Sequence, residues 1–303
     1  MFWKRLLSGA VILFLTLGFG ILGGPFLACG LGVLSSIAYI EFTKAAKVRE
    51  EGHRFNAIEA IGLVTIIFYY VMLLMFEIFP FMPKEATGWL FESVGFYNNY
   101  TIILILIFMF GIIAILCAYI FAYPKFHVNQ VAGGIFGLIY TSFLMSFIYY
   151  TRELNNGVYL VWLIFISSWV SDTCAYFVGS AIGKHKMTPR LSPKKSWEGA
   201  IGGILGSGIA STAYGFFYLK HFGITFALLP CFALLGCVGA FLAMCGDLVA
   251  SAIKRNNNVK DYGDIIPGHG GVLDRFDSVL FTAPMVYFLI VLLIQQELII
   301  SIF

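Results

Sequence analysis

Apolar residues run along this chain in nine long stretches, at about 6–23, 26–43, 58–80, 101–122, 128–150, 158–180, 199–219, 225–252 and 278–302. Each is close to the roughly 20 residues a helix needs to cross a hydrocarbon core of ~30 Å. Gly23-Gly24-Pro25 separates the first pair, and Tyr123-Pro124 ends the fourth stretch, because proline interrupts the helical hydrogen-bond ladder. The pattern predicts an all-α polytopic membrane protein with about nine transmembrane helices.

Composition agrees with that reading. The 303 residues are 60% hydrophobic and 12% charged, against about 25% charged residues in a soluble domain. The opening MFWKRLLSGAVILFLTLGFG starts basic and turns apolar, but no small-residue cleavage site precedes a polar region. It reads as a retained first span. The six cysteines are scattered through apolar runs without a CxxC pair, which argues against a disulfide framework or a zinc site. A net charge of +3 does not point to nucleic acid. The partner that composition implies is the lipid bilayer.

Placement of the bases sets an orientation. With the N-terminus cytoplasmic and the C-terminus outside, every Lys and Arg except Lys84, Arg152 and Lys220 falls on the inner side. That asymmetry follows the positive-inside rule, and an even number of spans would spoil it. Residues 1–150 form an N-terminal region of about five spans with short or bland loops, Pro80–Asn99 serving as a connector. Residues 151–303 form a C-terminal region of about four spans, expected to be catalytic, with charged cytoplasmic loops at 183–198 and 253–277. No internal repeat suggests an inverted-repeat transporter.

Candidate chemistry lies in that second region. Loop 183–198 holds Lys184, Lys186, Arg190, Lys194 and Lys195. It reads either as a topology signal with headgroup affinity or as a polyphosphate clamp. In the second reading Ser192, Lys194, Lys195 and Ser196 sit on one turn, with Ser196 capping a helix whose free N–H groups favour anions. Further on, Pro267-Gly268-His269-Gly270-Gly271 is either an ordinary turn or a nest of backbone N–H groups for phosphate.

Acids at membrane depth are expensive and face water, an ion or a partner. Asp172 and Asp247 are such acids. Asp247, Ser251 and Lys254 are spaced to share one helix face, and Asp274 and Asp277 can point the same way three residues apart. Asp247 with Asp274 and Asp277 could hold one or two divalent cations, Mg²⁺ above all. The alternative for each is a salt bridge to Lys254, Arg255 or Arg275. Glu41, Glu59 and Glu77 lie near span ends and read as interfacial.

Several motifs carry a resemblance. They are Ser171-Asp172-Thr173-x-Ala175-Tyr176, Ser192-Pro193-Lys194-Lys195-Ser196-x-Glu198-Gly199, and Ser251-x-x-Lys254-Arg255 followed by Lys260-Asp261-x-Gly263. The last is Pro267-Gly268-His269-Gly270-Gly271-x-x-Asp274-Arg275-x-Asp277-Ser278. Their order and spacing closely resemble the phosphatidate cytidylyltransferase (CDP-diacylglycerol synthase) family over about residues 165–280. The commonest form of that family has threonine where Ser196 stands, which keeps the hydroxyl.

The resemblance implies transfer of CMP from CTP to phosphatidic acid with Mg²⁺, and room for a second cation. It implies a multi-pass protein of the cell (inner or plasma) membrane whose site faces the cytoplasm, with a homodimer left open. Asp247, Asp274 and Asp277 are the expected metal acids, and Lys254, Arg255 and His269 the expected phosphate contacts. Asp172, Arg190, Ser192, Lys194, Lys195, Ser196, Ser251, Lys260, Gly268, Gly270, Gly271 and Arg275 are the expected substrate-binding set. Two other readings remain: a CTP-dependent lipid kinase of the polyprenol or phytol type, and a cation-coupled transporter.

Overall fold

The computed structural model describes residues 2–49, 55–78, 99–268 and 270–295, with side chains described outside 2–7, 99–101 and 295. His269 and all but Asn99 of the expected connector Pro80–Asn99 lie outside the described residues.

The elements are helical almost throughout. In chain order they are α1 (Phe2–Leu22), α2 (Gly24–Ala45), α3 (Ala57–Ile78), α4 (Asn99–Phe121), α5 (Val128–Leu138) and α6 (Leu144–Arg152). Then come α7 (Gly157–Leu160), α8 (Trp162–Phe165) and α9 (Ser171–Ile182). A small hairpin, β1 (Lys186–Thr188) and β2 (Ser192–Ser196), leads into α10 (Trp197–Phe222), α11 (Leu229–Asn256) and α12 (Leu273–Ile290). Among the described residues, eight helices are long and apolar enough to cross a membrane. The stretch expected first is a shorter apolar helix, Ser8–Leu22. The chain is a multi-pass membrane protein.

The breaks lie where backbone chemistry demands them. Gly23 and Gly24 take positive φ, at 64° and 42°, between α1 and α2. Single π-turns, at Ile139–Phe143 and Ile166–Val170, interrupt two spans. The second turn directly precedes Ser171 and Asp172. Such turns re-aim the helix beyond them and are frequent at functional sites.

The chain forms two compact units, one of Leu22–Ser142 and one of Met1–Ile21 with Phe143–Phe303. In the first unit, Glu59 was expected at the interface, but it is buried at 1% exposure. Arg49 explains this, since its Nη2 lies 3.0 Å from Glu59 Oε1. Thr43 donates its hydroxyl to the same oxygen at 2.8 Å.

The second unit packs through small residues, as expected of membrane helices lacking a hydrophobic drive between them. On α10, a Cβ at Gly202 would lie 2.6 Å from Val178 of α9, and one at Gly203 would lie 2.9 Å from Ser171 O. On α11, a Cβ at Gly246 would lie 2.6 Å from Asp277 O of α12. Gly246 precedes Asp247. The glycine therefore lets α12 approach at the level where both helices carry an acid.

Candidate active site

The site grows from three local constructions within that second unit. The first is the hairpin ahead of α10. Its strands pair antiparallel, with Lys186 opposite Ser196 and Thr188 opposite Ser192. Its base is latched to the first turn of α10. Trp197 N donates to His185 O at 3.0 Å. His185 N donates to Glu198 Oε1 at 3.2 Å, and its ring Nδ1 lies 2.6 Å from the same oxygen. The Ser196 hydroxyl caps α10 as expected, accepting from Gly199 N at 3.2 Å. With its base fixed, the hairpin delivers Lys195 Nζ to within 2.6 Å of Asp247 Oδ2. This is an ion pair by distance, approached off the hydrogen-bonding direction.

The second construction is the α11 face. The Ser251 hydroxyl points back to Asp247 Oδ1 at 3.5 Å. Lys254, one turn further, reaches across to α12 and donates to Asp274 Oδ1 at 2.7 Å. Of the alternatives for Asp274, the structure shows the salt bridge.

The third construction is the loop between α11 and α12. Gly268 and Gly270 take φ of 79° and 85°, a region open to glycine. The turn closes with Ile266 N donating to Gly270 O at 2.9 Å. Its amides converge on the protein's own acid. Tyr262 N and Gly271 N donate to Asp274 Oδ2 at 2.8 and 3.0 Å. The Gly271 amide, expected to face phosphate, is thus engaged by Asp274. Tyr262 seals the back of the loop, donating its hydroxyl to Ala250 O at 3.1 Å. Burial raises its phenol well above the ordinary tyrosine range, and the charges of Asp277 and Asp274 add to the effect.

Two cavities border this framework. One, of about 310 Å³, is lined by Asp172, Asp247, Lys194, Lys195, Ser192 and Ser196 together with Met187, Met244 and Tyr176. The other, of about 290 Å³, is lined by Asp172, Asp274, Arg275, Asp277 and Ser278, with Trp169 and residues of α1. Asp172 belongs to both. It feels the charge of Asp247 first, then those of Lys195 and Arg275. Asp277 is 8% exposed and feels Asp247, Lys254 and Asp172. Asp172, Asp247 and Asp277 thus border the two cavities among Lys195, Lys254 and Arg275, while Asp274 is engaged by its three donors.

The structure brings together Asp172, Asp247, Ser251, Asp277, Lys254, Asp274, Arg275 and the 192–196 segment. Arg190, Arg255 and Lys260 are exposed and make no ion pair among the described residues. His269 is outside the described residues. Sequence reasoning did not single out Trp169, Met187, Met244 or Tyr176 as lining residues. Trp169 and Tyr176 stand three before and four after Asp172, a helical spacing that could have found them. The residues of α1 gave no such signal.

A family model described as "Cytidylyltransferase family" matches residues 3–293. Relatives named phosphatidate cytidylyltransferase include the following three. The protein of Rickettsia bellii is 40% identical over 142 residues, covering 46% of this chain and 60% of that protein. The Bacillus subtilis protein is 34% identical over 185 residues, covering 61% and 67%. The Haemophilus influenzae protein is 29% identical over 296 residues, covering 93% and 96%. The alignment with the Rickettsia protein therefore spans three fifths of that relative's length, whereas the Haemophilus alignment runs nearly end to end.

Proposed function

The chain belongs to the cytidylyltransferase family, and we propose that it transfers CMP from CTP to phosphatidic acid, giving CDP-diacylglycerol and pyrophosphate in phospholipid synthesis. One observation carries the reading: Asp172 lines two cavities at once, one bordered by lysines and one bordered by acids, Arg275 and apolar side chains. A reaction between a soluble triphosphate and an anionic lipid needs two approaches to one reacting centre.

The chemistry is an in-line displacement. An oxygen of the lipid phosphate forms a bond to the α-phosphorus of CTP, the bond from that phosphorus to the bridging oxygen breaks, and pyrophosphate leaves with the electron pair. No proton need be removed, since the lipid phosphate is already ionised at neutral pH. Catalysis is then charge neutralisation and positioning. Lys194 and Lys195 bind triphosphate oxygens, with the Ser192 and Ser196 hydroxyls beside them. Arg275 draws the lipid phosphate into the second cavity. Lys254 holds Asp274, which fixes the 262–271 loop around them.

A divalent cation fits the donor set. Among the described residues no group of three His, Cys, Asp or Glu side chains is placed to hold a metal ion by itself, so substrate phosphates would have to complete the ligand set. Yet Asp172 and Asp247 line one cavity, Asp172 and Asp277 line the other, and Asp277 is buried. Mg²⁺ is commonly held by a few carboxylates completed by substrate phosphates. Asp247, Asp277 and Asp172 would hold it, Asp172 being the residue that could also serve a second cation. When bound, it would supply positive charge to the phosphates. Asp274, already three times hydrogen-bonded, takes a supporting place.

The site faces the cytoplasm of a bacterial inner membrane in this reading, supported by the inward bias of the bases and by the bacterial relatives. The test is purified protein with [α-³²P]CTP and Mg²⁺. Label should enter a chloroform-soluble product only when phosphatidic acid is present, with pyrophosphate released. Release of CDP instead would mark a lipid kinase and overturn the reading.

A further inference from the structure

The first helix contributes to the acidic cavity's wall without carrying a motif. It is nonetheless built into the unit that holds the acids. Its C-terminal end is bolted by Arg152, whose Nε donates to Gly20 O at 2.9 Å and whose Nη2 donates to Ile21 O at 3.1 Å. Those carbonyls are among the four that a helix end leaves without intrahelical partners. Trp162 fills the notch over Gly20, where a Cβ would lie 2.7 Å from the indole. Near the other end, the Ser8 hydroxyl donates to Pro267 O at 3.3 Å, in the loop that wraps Asp274.

Between these fastenings, Gly9, Ile12 and Leu13 line the cavity whose facing residues include Asp172, Arg275 and Asp277. Positions 9, 12 and 13 share one helix face. Phe14, the next residue, is 76% exposed. The cavity is therefore polar on one side and apolar on the other, which suits an amphiphile whose phosphate meets Arg275 and the cation proposed for the acids.

We propose that this face of α1 selects the lipid acceptor. Ile12 and Leu13 contact the glycerol backbone and the first acyl methylenes, and Gly9 keeps the wall open beside Ser8, where the helix meets the polar loop. The inference rests on the transfer reaction proposed above and adds the residues that set its lipid preference.

The experiment presents the purified full chain with an equimolar mixture of dioleoyl-phosphatidic acid and 1-oleoyl-lysophosphatidic acid, which differ at the glycerol and the first acyl methylenes, in mixed micelles with CTP and Mg²⁺. Product species are counted by mass spectrometry. Leu13→Trp should shift the product ratio by about five-fold, since pocket contacts of a methylene or more discriminate on at least that scale. Leu13→Ala should shift it the other way. The KM for CTP should stay within about two-fold of wild type, because the nucleotide cavity does not include α1. Phe14→Ala should leave the ratio unchanged. Should a Leu13 variant fail to fold, Ile12→Val, a one-methyl deletion, must move the ratio in the direction of Leu13→Ala. An unchanged ratio in folded Leu13 and Ile12 variants overturns the inference while leaving the transfer reaction standing. A wild-type protein that converts neither lipid overturns both.

Discussion

Lys195 Nζ lies 2.6 Å from Asp247 Oδ2, joining the hairpin ahead of α10 to the α11 span. The two residues are 22% and 32% exposed, so the pair stands at the cavity edge and not in a sealed core. Such a pair adds little to stability. Its use is to hold an ammonium where triphosphate oxygens arrive. Lys195→Ala should therefore lower kcat/KM by about 100-fold or more, the scale of losing one charge-stabilising donor. Its melting temperature should stay near wild type. Steady-state transfer assays beside thermal melts check both halves, and an active Lys195→Ala protein contradicts the assignment.

Asp274 and Asp172 should respond in opposite ways. Asp274 is 3% exposed on its side chain and carries the Lys254 ammonium and two loop amides. Removing it leaves the partly buried Lys254 and two loop amides without their acceptor, a loss of up to ~3 kcal/mol. Asp274→Ala should melt several degrees lower in detergent and lose activity with the loop. Asp172 has Asp247 opposing its charge and Lys195 and Arg275 favouring it, and it holds no loop as Asp274 does. Asp172→Ala should keep or slightly raise the melting temperature while losing activity. Equal destabilisation by the two variants would remove the distinction between a structural acid and a site acid.

The expectation for metal follows from the same contrast. Chelation with EDTA should abolish transfer, and Mg²⁺ should restore it. Asp277→Asn should need about ten-fold more Mg²⁺ for half-maximal activity, in the range expected on perturbing a metal's protein contacts. Asp274→Asn should shift that requirement less. A Mg²⁺ titration of the three proteins decides it, and full activity in EDTA would discard the cation.

Glu198 accepts from the His185 amide and contacts its ring, and neither residue is in the lining of the two site cavities. Its effect must pass through the hairpin. Glu198→Ala should raise the KM for CTP by about ten-fold, as a small misplacement of binding groups does. The kcat should change less, and Glu198→Gln should fall between. A fall in kcat without a change in KM would place Glu198 elsewhere in the reaction.

Tyr262 gives a pH dependence. Its phenol is raised by burial and by the charges of Asp277 and Asp274. The folded chain thus holds that proton more tightly than the unfolded chain, whose tyrosines ionise near pH 10. Stability contributed by this group is complete below about pH 10 and falls as pH rises beyond it. Melting curves from pH 8 to 11 should show wild type losing stability above pH 10 faster than Tyr262→Phe. Parallel curves would contradict the burial of the ionisable hydroxyl.

Much of this architecture was legible from the chain. Apolar runs of span length and polar loops of one sign located the helices and the charged segments, because a bilayer punishes any other arrangement. Asp247, Ser251 and Lys254 share a face as their spacing dictates. What spacing does not encode is partner choice. Asp274 looked like Asp277, three residues away on the same helix, yet one meets a lysine and two loop amides while the other faces Asp247 and Asp172. The first apolar stretch is another case. Its packing with helices more than a hundred residues further on depends on Arg152, Trp162 and Pro267, and none of these carries a periodic signal. The latch of His185 on Glu198 likewise closes only once the hairpin has formed.

Asp172 lines both the cavity proposed for the nucleotide and the one proposed for the lipid. The most direct measurement is the two-substrate steady state of Asp172→Asn, varying CTP and phosphatidic acid in turn at fixed Mg²⁺. The account predicts kcat down by about 100-fold or more with a folded protein, as expected when a group serves the reacting centre. Turnover near wild type with both substrates would contradict it.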